Sequence, residues 1–495
     1  MVTWCMLAVL AAAAPAGTRA ASDPRVRARM GGEHVIDAAD ALRPPSKRRV
    51  HGSARLSLGF GFVADDPIAK IEPAVALDLR AIAPVKIAFA APLRLRMADR
   101  APADRGVLRL RDWDEVGDYF AVLRSLEVRL DRPLARRANA HVELTLGEQR
   151  DVTLGHGSLV RGWANGLDLD RRRTGLLGTF GLRGTLLGQP AHSSVEVLAG
   201  DVAGSQILGG RVAASWAGAG IGATVVGDPT APRLLAVDAA DPIAYVSARG
   251  NRLQTSGARG IAAGSIEFEY LATDRWRWRA GPYLDLDQIG DIGRGLHLGA
   301  TAQGRLGARR QWTLGATTEL TAGTRGYDPA YYDVFYGAQR WSAPMLGTRA
   351  GVPDDAADPR APKPSWLRDH VPAGVGGMGR LHVGHTAGAT ASFEYRMRPG
   401  PLGHTATLVV GVDVPQVAVF ARFAHRGTHH GFEPRAAGTL AQLELRVPVL
   451  RWIDVEIAAG WTFAIRSDPR LASARGVLPS GAGLVLAGVG GRVPW

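Results

Sequence analysis

The residues best equipped for chemistry in this chain stand in one short run, Ala424-His425-Arg426-Gly427-Thr428-His429-His430-Gly431-Phe432-Glu433. His425 and the Thr428 hydroxyl would suit a base and a nucleophile, provided that something activates the threonine. Three histidines and a glutamate would equally suit a metal, and the same residues suit a plain turn, because neutral imidazoles there need no ligand. A second group, Asp285, Asp287 and Asp291 with Gly290 and Gly293, lacks the spacing of an EF-hand and fits a Gly-Asp turn between strands. His156 has no nucleophile beside it in sequence and takes no catalytic role. The expectation is a non-enzyme without cofactor or metal, with the His425 run as the one case for catalysis.

Composition narrows the classes. The chain has 495 residues, a net charge of +13, 62 glycines, 30 prolines and a hydrophobic fraction of 46%. That is neither a helical membrane protein nor a disordered one. Beyond the amino terminus no run of about 18 apolar residues occurs, so membrane residence would have to be by strands. The basic residues are scattered arginines, with lysine only at 47, 70, 86 and 363. No zinc-finger, P-loop or RNA-binding signature accompanies them, which argues against nucleic acid. The single cysteine, Cys5, lies in the amino-terminal apolar run. The mature chain then has none, which excludes disulfides and Cys-ligated zinc.

The elements that position these residues are set by hydrophobic periodicity. Residues 1–21 read as a signal peptide and 22–52 as a polar, basic periplasmic arm. From residue 53 the chain alternates. Leu56, Leu58 and Phe60 alternate with Ser57 and Gly59, Leu93 and Leu95 with Arg94 and Arg96, Val142 and Leu144 with Glu143, Ile266 and Phe268 with Glu267 and Glu269. Trp276 and Trp278 alternate with Arg275, Arg277 and Arg279, and Phe393, Tyr395 and Met397 with Glu394, Arg396 and Arg398. Each run is a strand with one apolar and one polar face. Asp112 to Phe120 breaks the ladder as a short helix or an inserted loop. Gly147 to Arg173, dense in glycine and charge, reads either as an ordered surface loop or as a loop folded near the lumen. A longer break at about 325–372 carries Tyr331, Tyr332, Tyr336 and Trp341. Those aromatics either pack the loop into a barrel mouth or offer stacking surfaces to a ligand.

In the last eleven residues, Val485, Val489, Val493 and Trp495 share one period-2 face, and the chain ends on that tryptophan. This resembles the closing strand of a bacterial outer-membrane β-barrel. The resemblance covers the chain from about residue 53. It implies an all-β fold, a single large antiparallel transmembrane barrel of roughly 18 to 22 strands, located in the Gram-negative outer membrane. It implies outer-membrane lipid, lipopolysaccharide and the barrel-assembly machinery as partners, and a porin-like function passing small solutes. Arg94, Arg96, Glu143, Glu267, Glu269, Arg275, Arg277, Arg279, Glu394, Arg396 and Arg398 are then the candidate pore-lining residues, and their arginine excess would favour anions. Two alternatives stay open. His425 with Thr428 resembles the His and Ser of outer-membrane lipid hydrolases, which act on lipid or lipopolysaccharide, although the serine is absent. The long aromatic loop would instead make the barrel a ligand-binding scaffold.

Overall fold

The computed structural model describes residues 51–63, 66–79, 83–98, 107–108, 113, 116–135, 138–166, 173–235, 255–275, 278–307, 311–340, 362–398, 400, 403–414, 417–426, 439–450, 453–463 and 484–494. The signal segment, nearly all of the arm and Trp495 lie outside these residues. The first half of the sheet consists of β1 (His51–Val63), β2 (Asp66–Asp78), β3 (Val85–Ala90), β4 (Leu93–Arg96), β5 (Leu123–Ala135), β6 (Ala138–Gly147), β7 (Gly175–Leu186), β8 (Gln189–Asp201), β9 (Gln206–Trp216), β10 (Ala219–Leu235) and β11 (Thr255–Tyr270). The second half consists of β12 (Thr273–Arg275), β13 (Trp278–Ile289), β14 (Gly293–Leu306), β15 (Trp312–Gly323), β16 (Gly374–His385), β17 (Ala389–Met397), β18 (His404–Val414), β19 (Val417–Arg426), β20 (Thr439–Leu450), β21 (Ile453–Phe463) and β22 (Leu484–Pro494).

These segments make 20 barrel strands, within the range expected from the alternation. β3 and β4 both pair with β2 in tandem, interrupted at Ala91-Pro92 where proline offers no N–H to a ladder. β11 and β12 likewise share β13. Every neighbour pair is antiparallel, and β22 pairs with both β21 and β1, so the sheet closes on itself. Closure removes the edges that a membrane would leave unsatisfied.

The pleat sorts the side chains. On β1, Leu56, Leu58 and Phe60 are exposed outward while Ser53, Arg55 and Ser57 are buried inward. The same sorting puts Ile266 and Phe268 outside Glu267, and Phe393 and Met397 outside Arg396. Trp216, Tyr270, Trp278 and Trp312 are exposed beside the short turns, at the depth where amphipathic rings suit a membrane-water boundary. No described helix is long and apolar enough to cross a membrane. Because successive strands alternate direction, the long connections 97–122, 148–174 and 324–373 leave from one rim and the turns at 187–188, 217–218 and 386–388 from the other. The first long connection carries the short helix α1 (Val116–Phe120), one of the two forms expected there. The third carries α2 (Tyr336–Gln339) and α3 (Lys363–His370), the latter opened by Pro364 in its first turn.

The seam between β1 and β22 is tight. A Cβ on Gly488 would sit 2.6 Å from the Leu58 carbonyl oxygen and 3.1 Å from the Gly59 Cα. Gly488→Val is therefore expected to cost about 1–3 kcal/mol at the closure. It should lower the temperature at which the folded barrel loses its compact mobility on a gel, with Gly488→Ala in between. An unchanged transition in both variants would contradict a closed seam.

Candidate functional site

The site is the lumen, and two of the long connections enter it. After β6 the chain turns back on itself: Val152 and Trp163 exchange backbone hydrogen bonds of 2.8 and 3.0 Å, which makes residues 148–166 a small hairpin. Its glycines let the backbone touch the wall. Gly155 has φ +56°, and a Cβ there would lie 2.4 Å from the Glu267 carboxylate. The connection after β15 joins this hairpin through a parallel ribbon, in which Ala330 N–H donates to Ser158 O (2.6 Å), Tyr332 N–H to Leu159 O (2.9 Å) and Arg161 N–H to Tyr332 O (3.2 Å). Around it Val152, Leu154, Leu159, Val160, Trp163, Tyr327, Tyr331, Tyr332, Tyr336 and Trp366 form one apolar cluster with inward residues of β8 to β13.

The wall against which this insert rests is electrostatically divided. β11, β13 and β15 present Glu267, Asp285, Asp287 and Glu319, whereas β16, β17, β19 and β20, with Arg398 just past the end of β17, present Arg380, Arg396, Arg398, Arg422, Arg426 and Arg446 against Glu394 and Glu444. The loops answer each side with the opposite sign. Towards the acidic arc, His156 Nδ1 lies 2.8 Å from Asp285 and Nε2 3.4 Å from Glu269, with the ring stacked on Tyr283 at 4.2 Å. Arg161 donates to Glu319 at 3.0 Å and Ser158 to Asp287 at 3.0 Å. Tyr327 donates to Asp287 at 2.6 Å, and its ring lies where a Cβ on Gly295 would come within 2.1 Å of it. Behind them His297 is held between Glu319 (2.8 Å) and Asp287 (3.2 Å). On β10, Asp228 accepts from Arg340 (2.6 Å) and Tyr336 (2.9 Å).

Towards the basic arc, Asp328 meets Arg398, Lys363 (2.9 Å) and Arg426 (3.4 Å), and Asp333 accepts from Arg398 at 2.9 Å. Lys363 also donates to Tyr331 O (2.6 Å) and sits 4.5 Å from that ring's centroid. In the hairpin, Asp151 meets Arg380 at 3.4 Å and Arg150 donates to Glu444 at 2.8 Å while covering Phe420 at 4.8 Å. Burial opposes charge on Asp328, yet Arg398, Lys363 and Arg426 hold its carboxyl below the ordinary range. Burial pulls Lys363 down to about 8 in spite of Asp328 and Asp333. Burial also opposes charge on His156, but its bonds to Asp285 and Glu269 outweigh this and raise it to about 9.

The sequence candidates are spread over the wall and the loops. Arg94 and Arg96 are buried on β4, and Glu143 pairs with Arg129 at 3.0 Å. Glu267 accepts from Arg211 at 2.8 Å, and Glu269 reaches His156 with half of its side chain in solvent. Arg279 is partly buried on β13, Arg396 pairs with Glu394 and donates to Pro329 O (3.3 Å), and Arg398 holds the second loop. Arg277, the Arg275 side chain and Trp341 lie outside the described residues. Tyr331, Tyr332 and Tyr336 have buried rings packed on one another at 4.8 to 5.6 Å. His425 is buried, with Nδ1 2.7 Å from the Thr439 hydroxyl, and Thr428, His429, His430 and Glu433 lie outside the described residues. Among the described residues no group of three His, Cys, Asp or Glu side chains is arranged to hold a metal ion. Asp285 and Asp287 are instead taken by His156, Ser158, Tyr327 and His297. Sequence reasoning passed over Asp228, Asp328, Asp333, Arg161 and Lys363. The available signals were thin: Asp228 and Asp328 precede prolines, which marks a turn, and Lys363 is a rare lysine in an arginine-rich chain.

Two consequences can be measured. His156 titrates higher in the docked hairpin than in a free chain, so its contribution is fully present below the ordinary histidine value of about 6.5 and is lost as pH rises towards 9. Amide protection factors of residues 150–163 should fall across that window by up to about a hundredfold, and His156→Phe should flatten the profile. A flat wild-type profile would refute the His156 clamp. Around Asp328 three cations face two carboxylates. Asp328→Ala leaves buried cations unpaired and should cost about 3–5 kcal/mol, whereas Lys363→Met removes the surplus cation and should cost far less. Equal shifts of the two melting curves would overturn this.

No family model matches the chain, and no curated protein matches it in sequence. Among solved structures it is similar to a mutant of the ferric enterobactin receptor PfeA from Pseudomonas aeruginosa in complex with enterobactin, at 8% identity over 91% of this chain and 82% of that one, with a TM-score of 0.34. It is similar to Acinetobacter baumannii OccAB4 at 9% identity over 92% and 100%, with a TM-score of 0.31. It is also similar to a mutant Rh. blastica porin at 9% identity over 90% and 99%, with a TM-score of 0.27. Likenesses with TM-scores this low carry no argument for the architecture. That architecture stands on the strand pairing itself: the closed ladder, the outward apolar belt and the long loops gathered at one rim are those of an outer-membrane β-barrel.

Proposed function

We propose that the protein is an outer-membrane channel that passes small solutes along a lumen narrowed by its own two loops, within a belt of membrane lipid and lipopolysaccharide. The observation that carries this is that inward charges away from the inserted loops or at their edge remain wet, while those against the loops are buried. Arg129 keeps 40% of its side chain in solvent and Glu269 52%, on faces that point into the barrel. A lumen sealed as a hydrophobic core would not keep charges hydrated. A barrel of 20 strands is also wider than side chains alone can fill, which leaves room for a passage beside the inserted loops.

The finer reading is an anion bias. His156 and Arg161 neutralise part of the acidic arc, and on the other arc the six arginines at 380, 396, 398, 422, 426 and 446 outnumber the loop aspartates 151, 328 and 333 that meet them. Fixed charge of one sign along a passage raises the local concentration of the opposite ion.

The test is single-channel recording in a planar bilayer with a salt gradient. Wild type should give stable steps with an anion-biased reversal potential. Replacing residues 150–163 by a short Gly-Ser linker should raise conductance roughly twofold or more, because it removes the constriction. Cation preference would sink the anion reading, and silence from protein folded as β would sink the channel itself.

A further inference from the structure

The basic arc holds one side chain that the ion pairs leave out. Arg422 of β19 faces inward and is 2% exposed, and none of its three guanidinium nitrogens has a hydrogen-bond partner among the described residues. It lies 5.5 Å from the centroid of the Phe420 ring. Arg150 of the hairpin covers the same ring at 4.8 Å, which brings the hairpin charges Glu148, Arg150 and Asp151, and Glu444 of β20, to this corner. Each of those acids already serves another cation: Asp151 meets Arg380 at 3.4 Å, and Arg150 meets Glu444 at 2.8 Å and Glu148 at 3.1 Å. Three arginines and three acids leave this corner without net charge, yet the donors of Arg422 stay unused.

A buried guanidinium with idle N–H groups is costly, and its planar fork matches an acceptor with two oxygens. A phosphate dianion would meet three acids there, whereas a carboxylate satisfies the fork with a single charge. His382 of β16 lies on the same inner wall three strands away, about 14 Å at ordinary strand spacing, through the register His382–Ser392, Ser392–Val409 and Val409–Arg422. Both of its buried ring nitrogens also lack partners among the described residues. This side of the wall is thus rich in unmet polar groups beside the hairpin.

We propose that Arg422 is the carboxylate-reading residue of the lumen, receiving small monocarboxylate solutes between the wall at β19 and the hairpin residues 148–151. This deepens the channel reading and rests on it for its physiological meaning. Asp151, beside Arg150 on the hairpin, repels a carboxylate bound at this corner, which gives the proposal a sign that a purely structural arginine would not have.

The experiment is titration of acetate into detergent-folded protein, followed by calorimetry, for wild type, Arg422→Gln, Arg422→Lys and Asp151→Asn, each first shown to be folded by its heat transition. Arg422→Gln should weaken binding about tenfold or more, as loss of a charge-assisted bidentate pair does. Arg422→Lys, which keeps the charge and loses the fork, should fall between. Asp151→Asn should tighten binding. Unchanged affinity in Arg422→Gln, or weakening in Asp151→Asn as if Arg422 were only its counterion, would overturn the proposal. So would inorganic phosphate binding through Arg422 in preference to acetate. Binding is read without ion flow, so a silent bilayer strikes the channel reading alone, and absent acetate binding in a conducting protein strikes this one alone.

Discussion

A backbone that crosses hydrocarbon must satisfy its own N–H and C=O groups, and this protein does so by pairing every barrel strand with two others until β22 meets β1. Closure constrains every side chain on the wall. Once the sheet is a cylinder, the pleat has only two destinations for side chains, lipid or lumen, and alternation along each strand becomes a division of the whole molecule. Leu58 and Phe268 have to face outward because Ser57 and Glu267 face inward.

The cylinder is too wide for its own side chains, and its inner face is charged. An insert that fills part of it must bring partners for those charges, because an ion buried without one is far more costly than an exposed ion. The hairpin at 148–166 and the connection at 324–373 do this with matched polarity. Histidine and arginine go to the acidic arc at β11 to β15 and aspartates to the arginines of the basic arc, where Arg150 also meets Glu444 of β20. The apolar cluster of tyrosines and Trp163 supplies cohesion, and the ion pairs supply the seat. Replacing one charge therefore has an effect that depends on which side of the local balance it falls.

Much of the barrel was legible in the residues. Leu56 to Phe60, Ile266 to Tyr270 and Phe393 to Met397 each alternate cleanly, and each is a strand with the faces that the pattern implied. The glycine-dense run after Gly147 was recognisable as a loop with a surface and a luminal place both open, and its residues 148–166 lie against the inner wall. The site was far less legible. His156 had no neighbour in sequence to suggest a role because its partners, Asp285 and Glu269, are more than a hundred residues away. Asp328 looked like a turn residue before proline, and nothing local announced Arg398, Arg426 and Lys363 around it. The tyrosines at 331, 332 and 336 left two readings open, and their burial belongs to neighbours on the hairpin.

The sequence by itself determined most strands and their two faces, the all-β class and the approximate size of the sheet, although the alternation through Arg275 to Arg279 read as one strand where Arg275 pairs with Trp278 across a reversal of the chain. Each of these rests on interactions between residues adjacent or two apart, or between chain and solvent, and periodicity records them directly. The tertiary structure alone decided which strand closes on which, which loops turn into the lumen rather than away from it, and which of the many arginines are paired. Those outcomes depend on contacts across the barrel between residues such as Arg161 and Glu319 or Arg150 and Glu444, brought together by closure and not by spacing along the chain.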